Sequence, residues 1–199
     1  MDVIDRLVGI APGSRMDALR DGRKIARQHA QRSHEVLLTP AAPGDFSIAE
    51  RFAVAADVAG LHGAAPTTDH YAAGLRAHGG EALARAVAGA VAQTAAAGPT
   101  GAYPPGPLSI EDTSAPRFAL SPDLAAALGP KPAAALAHAH YLVLHPRDAA
   151  AARFAPLKAA GWTEDSIVSL SQLVAFLAFQ IRVVAGLAVL AATPEGSAA

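Results

Sequence analysis

The sequence predicts an all-α protein, and three observations support this prediction. Hydrophobic residues make up 52% of the 199 residues but aromatic residues only 5%, so the apolar content is mostly Ala, Leu and Val. Alanine has the highest helix propensity of all residues. Apolar residues also recur at helical spacing in segments that start after Ser or Thr and stop at Gly or Pro. This composition supplies enough apolar side chains for a folded core.

Five helices are predicted in the first half of the chain. Ser14 is placed to cap the second helix. Ser47 and Glu50 have the three-residue spacing of a reciprocal capping box at the start of the third helix. Thr67 or Thr68 can cap the fourth helix, which stops at the Gly79–Gly80 pair. The five predicted helices cover residues 2–10, 14–38, 47–61, 69–78 and 81–97.

The middle of the chain, residues 98–116, is rich in Pro and Gly and is predicted to be a linker or lid. It separates an N-terminal lobe, residues 1–97, from a C-terminal lobe, residues 117–199. Each lobe has a capped, apolar helix followed by a stretch that ends in Ala-Gly-Leu, so the lobes are predicted to be related. The C-terminal helices are predicted over residues 121–128, 132–145, 147–160 and 163–193, and the last is the long closing helix.

Composition excludes several classes of function. The net charge is −1 without a basic stripe, which argues against nucleic-acid binding. The chain contains no cysteine, so it has no disulfide, thiolate metal site or cysteine nucleophile. The N-terminus does not resemble a signal peptide, which is compatible with a cytoplasmic protein. Residues 167–192 are apolar, but they contain Gln180 and Arg182, so a buried helix is predicted rather than a membrane span.

Three segments carry a family resemblance. Residues 157–187 resemble the closing segment of peroxidase-related members of the alkylhydroperoxidase D-like / carboxymuconolactone decarboxylase superfamily. Residues 1–14 and 43–63 are similar to a cysteine-poor subgroup of carboxymuconolactone decarboxylase-domain proteins. The resemblance implies the alkylhydroperoxidase D-like (AhpD-like) helical fold and a homo-oligomer, as a dimer, trimer or hexamer. The matching residues in the closing segment are Gly161, Trp162, Glu164, Asp165, Phe176, Phe179, Gln180, Arg182, Gly186 and Leu187.

Peroxidases of this superfamily carry a Glu about a dozen residues before a C-x-x-C-x-x-x-H motif. Aligned on Leu61 and Gly63, the two cysteine positions fall here on Ala64 and Thr67. The His position falls on Tyr71, one residue after His70, and the Glu position on Phe52, two residues after Glu50. Because one thiolate must attack the peroxide and a second must resolve it, this chain cannot use the dithiol mechanism.

The candidate catalytic residues are His62, His70, Tyr71 and Glu50, as proton-transfer groups around the turn between two helices. Asp57, Thr67 and Arg182 are candidates for the same pocket or for a structural pair. Arg182 is predicted to be buried and therefore paired with an acidic residue such as Asp57 or Glu50. Arg51 and Arg76 are weaker candidates for binding a substrate carboxylate.

No metal site or cofactor is predicted. His138, His140 and His145 form the densest histidine cluster, but residues two apart on a helix point in different directions. Core or interface packing, with one ring hydrogen-bonded, is therefore the preferred interpretation.

Three functions remain open. The first is an AhpD-like protein without thiol peroxidase chemistry. The second is a non-redox enzyme, of decarboxylase or hydrolase type, that acts on a small organic acid. The third is a non-catalytic partner of a cysteine-bearing paralogue.

Overall fold

The fold is built from α-helices, as the sequence predicts. A computed structural model describes residues 2–114 and 116–194, and within these ranges it contains nine α-helices and no β-strand beyond one isolated bridge. Three short 3-10 helices cover Pro107–Glu111, Pro146–Asp148 and Ala151–Phe154. The α-helices are α1 (Val3–Val8), α2 (Arg15–Asp21), α3 (Lys24–Leu38), α4 (Ile48–Leu61), α5 (Ala65–Thr94), α6 (Pro122–Leu128), α7 (Pro130–Leu144), α8 (Ala155–Ala159) and α9 (Glu164–Ala192).

Side-chain caps fix several helix starts. Ser14, Ser47 and Thr163 each accept a hydrogen bond from the backbone N–H three residues later. At α4 the Glu50 carboxylate also accepts from the Ser47 N–H at 2.8 Å, which completes the predicted capping box. Such caps satisfy amides that the helix itself leaves unpaired. The predicted starts of α2, α4 and α9 are therefore confirmed.

Gly80 divides α5 into two helical segments, at the stop predicted from the Gly79–Gly80 pair. Its φ of 81° and ψ of 168° lie outside the helical region. A positive φ of this size favours glycine, which has no Cβ to clash with the backbone. The predicted break is confirmed, although the second segment ends at Thr94 and not at residue 97.

Three sequence predictions about helices are wrong. The helix predicted over 14–38 is two helices, because the backbone leaves the helical region at Arg23. The segment 147–160 is two 3-10 helices and the five-residue α8. Thr67 and Thr68 do not cap α5, because this helix already begins at Ala65 and both residues lie inside its first turn.

The core is centred on α4, which packs against α5, α7 and α9. Most of α4 is buried, from Arg51 to Ala59 without interruption. The two halves of the chain share this core, since buried side chains of both belong to one apolar cluster. Trp162, for example, packs edge-on against Phe46 with ring centroids 4.9 Å apart. The division into two related lobes remains a prediction.

A second, smaller core lies between α1, α3 and α9. Its buried members are Val3, Ile4, Ala30 and Val184. An ion network borders it, in which Arg20 and Arg27 both bind the Asp2 and Asp5 carboxylates. The break between α2 and α3 lets one arginine from each helix reach these two aspartates.

The start of the Pro/Gly-rich segment is held against the end of α7. The Thr100 N–H and hydroxyl both donate to the Leu144 carbonyl, at 2.7 and 2.8 Å. Gly101 then forms the antiparallel bridge with Thr113. This part of the predicted linker is thus attached to the domain.

By length and composition alone, α9 could cross a membrane. The same composition is common in the central helix of a globular core, and Leu170, Leu173, Leu177 and Gln180 of α9 are fully buried in the fold. The buried-helix interpretation and the cytoplasmic location remain predictions.

Candidate functional site

The structure does not bring the four predicted proton-transfer groups together. Glu50 completes the cap of α4 and forms an ion pair with Lys131 at 2.9 Å. Tyr71 is fully buried, and its hydroxyl donates to Oε1 of Gln180 on α9. His70 packs on Tyr71 with ring centroids 5.1 Å apart and on His34 at 6.4 Å. Glu50 and Tyr71 are therefore engaged in structural contacts.

Burial sets the protonation of the Tyr71 and His34 side chains. It raises the pKa of the Tyr71 phenol, which therefore stays protonated and acts as a hydrogen-bond donor. It lowers the pKa of His34 to about 4, with a smaller contribution from neighbouring His70. The His34–His70–Tyr71 group is thus uncharged at neutral pH and packs as part of the interior.

The predicted burial and pairing of Arg182 are wrong. Arg182 lies on the exposed side of α9, where its Nη1 donates to the Ala178 carbonyl at 2.8 Å. A long, charged side chain on a helix can reach water in this way and needs no buried partner. Thr67 is buried in the first turn of α5. Arg51, a weaker candidate for a substrate carboxylate, is buried and donates to three backbone carbonyls.

Asp57 is an ionisable residue that lies fully inside the core. Its exposed fraction is 0%, and neither carboxyl oxygen has a hydrogen-bond partner among the described residues. Burial without a compensating contact disfavours the charged form, and it raises the pKa of Asp57 well above its ordinary value. Burial therefore favours the neutral carboxylic acid form of Asp57 over the carboxylate.

His62 and Arg182 do share a cavity. We call it the His62 cavity; its volume is about 640 Å³, and it lies between the end of α4, the end of α7 and one side of α9. His62 reaches it because this residue ends α4 as its C-cap. The walls are mostly aliphatic, with contributions from Leu61, Leu142, Val143, Leu144, Val174 and Ala178.

Two side chains that line the His62 cavity are ionisable, His62 and Arg182. The Nε2 atom of His62 is buried and has no hydrogen-bond partner among the described residues. Burial lowers the pKa of His62, and the nearby positive charge of Arg182 lowers it further. At neutral pH the cavity therefore presents a neutral imidazole and a permanently charged guanidinium.

Sequence reasoning did not assign a site to α7, yet this helix lines a second cavity. We call it the α7 cavity; its volume is about 260 Å³, and it is lined by Arg117, His138, His140, Tyr141, His145 and Arg153 among others. Nε2 of His138 is hydrogen-bonded to the Ser171 hydroxyl on α9 at 3.0 Å, whereas Nε2 of His140 is hydrogen-bonded to the Thr94 carbonyl at the end of α5. The two rings thus point apart, as the helical spacing predicts.

No group of three or more His, Asp or Glu side chains is arranged to hold a metal ion within residues 2–114 and 116–194. Comparisons of the chain with family models, with curated proteins and with solved structures found no match.

Proposed function

We propose that this protein is a cysteine-free member of the alkylhydroperoxidase D-like / carboxymuconolactone decarboxylase superfamily that binds a small organic acid and performs non-redox, acid–base chemistry on it. The resemblance of residues 1–14, 43–63 and 157–187 supports the family, and the all-α architecture is compatible with it. Thiol peroxidase chemistry is ruled out, because its redox cycle needs two sulfur atoms and the sequence contains no cysteine.

One observation carries the proposal. His62 and Arg182 line the same mostly aliphatic cavity, and the buried Nε2 atom of His62 has no hydrogen-bond partner among the described residues. A buried polar atom that finds no partner in the protein costs free energy unless a ligand or water satisfies it. Arg182 supplies the charge that a carboxylate needs, and the aliphatic walls fit a hydrocarbon part.

His62 is the group proposed to move a proton. A neutral imidazole near physiological pH can accept a proton from a substrate or return it to an intermediate. Arg182 is proposed to hold the substrate carboxylate without changing its own charge. The chemistry requires no cofactor, and it fits decarboxylation or isomerisation of an organic acid with an apolar portion.

Replacing Arg182 by Gln tests the carboxylate contact. Octanoate titrated into the protein in a calorimeter should bind the wild type, and Arg182→Gln should weaken binding about ten-fold, the lower end of what a charge-assisted hydrogen bond contributes. His62→Gln should also weaken octanoate binding, because it removes the imidazole from the cavity.

The matched control is Arg85→Gln, which changes an equally exposed arginine that pairs with Glu81 on α5, outside the His62 cavity. Octanoate should bind this variant as it binds the wild type. Equal affinity of the Arg182 and Arg85 variants, or no binding to the wild type, would refute the proposed site.

An apolar face also favours assembly. A groove of about 470 Å³ between α2, α3 and α9 is lined by apolar residues that include Leu19 and Phe179, each about half exposed. We infer that a second copy of the chain covers this groove, since burying apolar surface is the main driving force of homodimer formation.

Multi-angle light scattering should show an oligomer that dissociates in Phe179→Lys, whereas Val168→Lys, an exposed position on α9 outside the groove, should leave it intact. A wild-type monomer that assembles only with a cysteine-bearing paralogue would favour the alternative role as a non-catalytic partner.

A further inference from the structure

The α7 cavity has an unusual balance of polar groups, and it is separate from the His62 cavity. Its floor consists of side chains that are at least nine-tenths buried: His138, His140, Tyr141 and His145. Its edge carries two exposed cations, Arg117 and Arg153, and one partly exposed carboxylate, Asp148. Neither guanidinium forms an ion pair with a carboxylate among the described residues, so both are free to meet an anion.

The hydrogen bonds of the floor fix which nitrogen atoms remain open. Both ring nitrogens of His145 have a hydrogen-bond partner. Nδ1 lies 3.1 Å from the Thr100 hydroxyl, and Nε2 lies 3.3 Å from the Pro116 carbonyl. His138 places Nε2 3.0 Å from Oγ of Ser171. Since that hydroxyl already donates to the Ile167 carbonyl, the Nε2 atom of His138 must be the donor.

His140 is left with one unsatisfied acceptor. Its Nε2 lies 3.0 Å from the Thr94 carbonyl, which can only accept, so Nε2 carries the proton. Burial lowers the pKa of His140, which keeps the ring neutral and leaves a lone pair on Nδ1. This Nδ1 atom is buried and has no partner among the described residues.

Tyr141, the next residue, contributes an unsatisfied hydroxyl. Its oxygen is buried and has no hydrogen-bond partner among the described residues. The Arg153 guanidinium lies over its ring, 4.2 Å from the centroid. The residues that line the α7 cavity therefore include an unsatisfied acceptor, an unsatisfied hydroxyl and an edge with two arginines and one aspartate.

We propose that the α7 cavity binds a small hydroxycarboxylic acid. The ligand hydroxyl would donate to Nδ1 of His140, and its carboxylate would accept from the Tyr141 hydroxyl and from Arg153. A plain carboxylate offers no donor for His140. An amino acid offers a donor, but its ammonium group would lie beside two guanidinium groups. The one carboxylate of the lining, Asp148, already accepts from the Ala102 N–H and faces His145. A hydroxycarboxylate satisfies all three requirements at once.

The volume limits the size of this ligand. A space of about 260 Å³ lies just below the usual range for drug-sized ligands, so it suits an acid with a single ring or a short chain. Phe118, edge-on to His140 with centroids 5.4 Å apart, offers an aromatic surface for the apolar part. Mandelate meets these requirements, and phenylacetate is the same molecule without the hydroxyl group.

Calorimetric titration with this matched pair tests the proposal. One enantiomer of mandelate should bind at least ten-fold more tightly than phenylacetate, because loss of the hydroxyl leaves His140 unsatisfied. Tyr141→Phe and Arg153→Gln should each weaken mandelate binding about ten-fold. The first removes one atom that has no partner in the part of the chain that the structure describes, and the second changes a surface side chain, so both variants should fold.

The chain supplies a matched control, since Arg147 lies over the Tyr103 ring at 4.2 Å, as Arg153 does over Tyr141. Tyr103→Phe and Arg147→Gln should bind mandelate as the wild type does. Long-range ¹H–¹⁵N spectra should show the Nδ1 resonance of His140 shift when mandelate binds. Equal affinity for mandelate and phenylacetate, tighter binding of phenylglycine, or unchanged affinity in Tyr141→Phe and Arg153→Gln would overturn the proposal.

Discussion

Asp57→Asn should make the protein more stable above pH 5 and should remove a pH dependence that the wild type shows. The wild-type carboxyl group is fully buried, and neither oxygen has a hydrogen-bond partner within residues 2–114 and 116–194. Asparagine has nearly the same shape but never ionises. The two proteins should therefore differ least near pH 4, where the wild-type acid is protonated in the folded state and about half protonated in the unfolded chain.

The sign of this effect follows from proton binding. An aspartate in the unfolded chain has a pKa of about 3.9, whereas burial raises the pKa of Asp57 in the folded state. Between these two values the folded state holds one proton more than the unfolded state, so the free energy of unfolding falls as pH rises. The slope is about 1.4 kcal/mol per pH unit, and over two units the gap to Asp57→Asn reaches about 3 kcal/mol.

Urea unfolding of both proteins at half-unit steps from pH 4 to pH 8 measures the effect. The control is Asp69→Asn, which changes an exposed aspartate of α5 and should leave the pH slope of the wild type intact. Parallel curves for the wild type and Asp57→Asn would show that the Asp57 carboxyl titrates normally in the folded protein.

Arg51→Met should destabilise the protein by about 2–4 kcal/mol, because three buried or partly buried carbonyls lose their donor. Arg51 is 5% exposed and donates to the carbonyls of Leu37, Pro43 and Phe46 at 2.7, 3.3 and 2.8 Å. Its guanidinium also lies 4.3 Å from the centroid of the Phe46 ring. Methionine fills the same path through the core but leaves these carbonyls without their donor.

Thermal and urea unfolding measure this loss, with Arg85→Met as the control on an arginine that is 70% exposed. The control should change stability by less than about 0.5 kcal/mol, as is usual for surface substitutions. Arg51→Lys should recover only part of the loss, because one ammonium group cannot replace the planar guanidinium at three carbonyls. A stable Arg51→Met variant would mean that the connection between α3 and α4 holds its conformation without this side chain.

Local features of the fold could be read from the sequence, because they depend on residues close together in the chain. The capping box of Ser47 and Glu50 and the break at Gly80 both belong to this class. The split between α2 and α3 could not be read in this way. It brings Arg20 and Arg27 to Asp2 and Asp5, and these contacts join residues far apart in the sequence.

The candidate sites show the same limit. The position of His62 just before a predicted turn makes it a candidate for proton transfer, and in the structure it does line a cavity with Arg182. The exposure of Arg182 could not be foreseen, because a single arginine in an apolar helix does not reveal which side faces solvent. The unpaired Nδ1 of His140 could not be predicted from the sequence either, because the ring is oriented by a hydrogen bond to Thr94, 46 residues earlier in the chain.

The contact between α1 and α9 has a consequence for biosynthesis. Val3 and Ile4 are covered in part by Val184, which is translated more than 170 residues after them. Because chains emerge at about 5–20 residues per second, the apolar side of α1 waits on the order of ten seconds or more for its partner. During that interval a chaperone that binds short apolar segments would find α1 available, and its release would coincide with the arrival of α9.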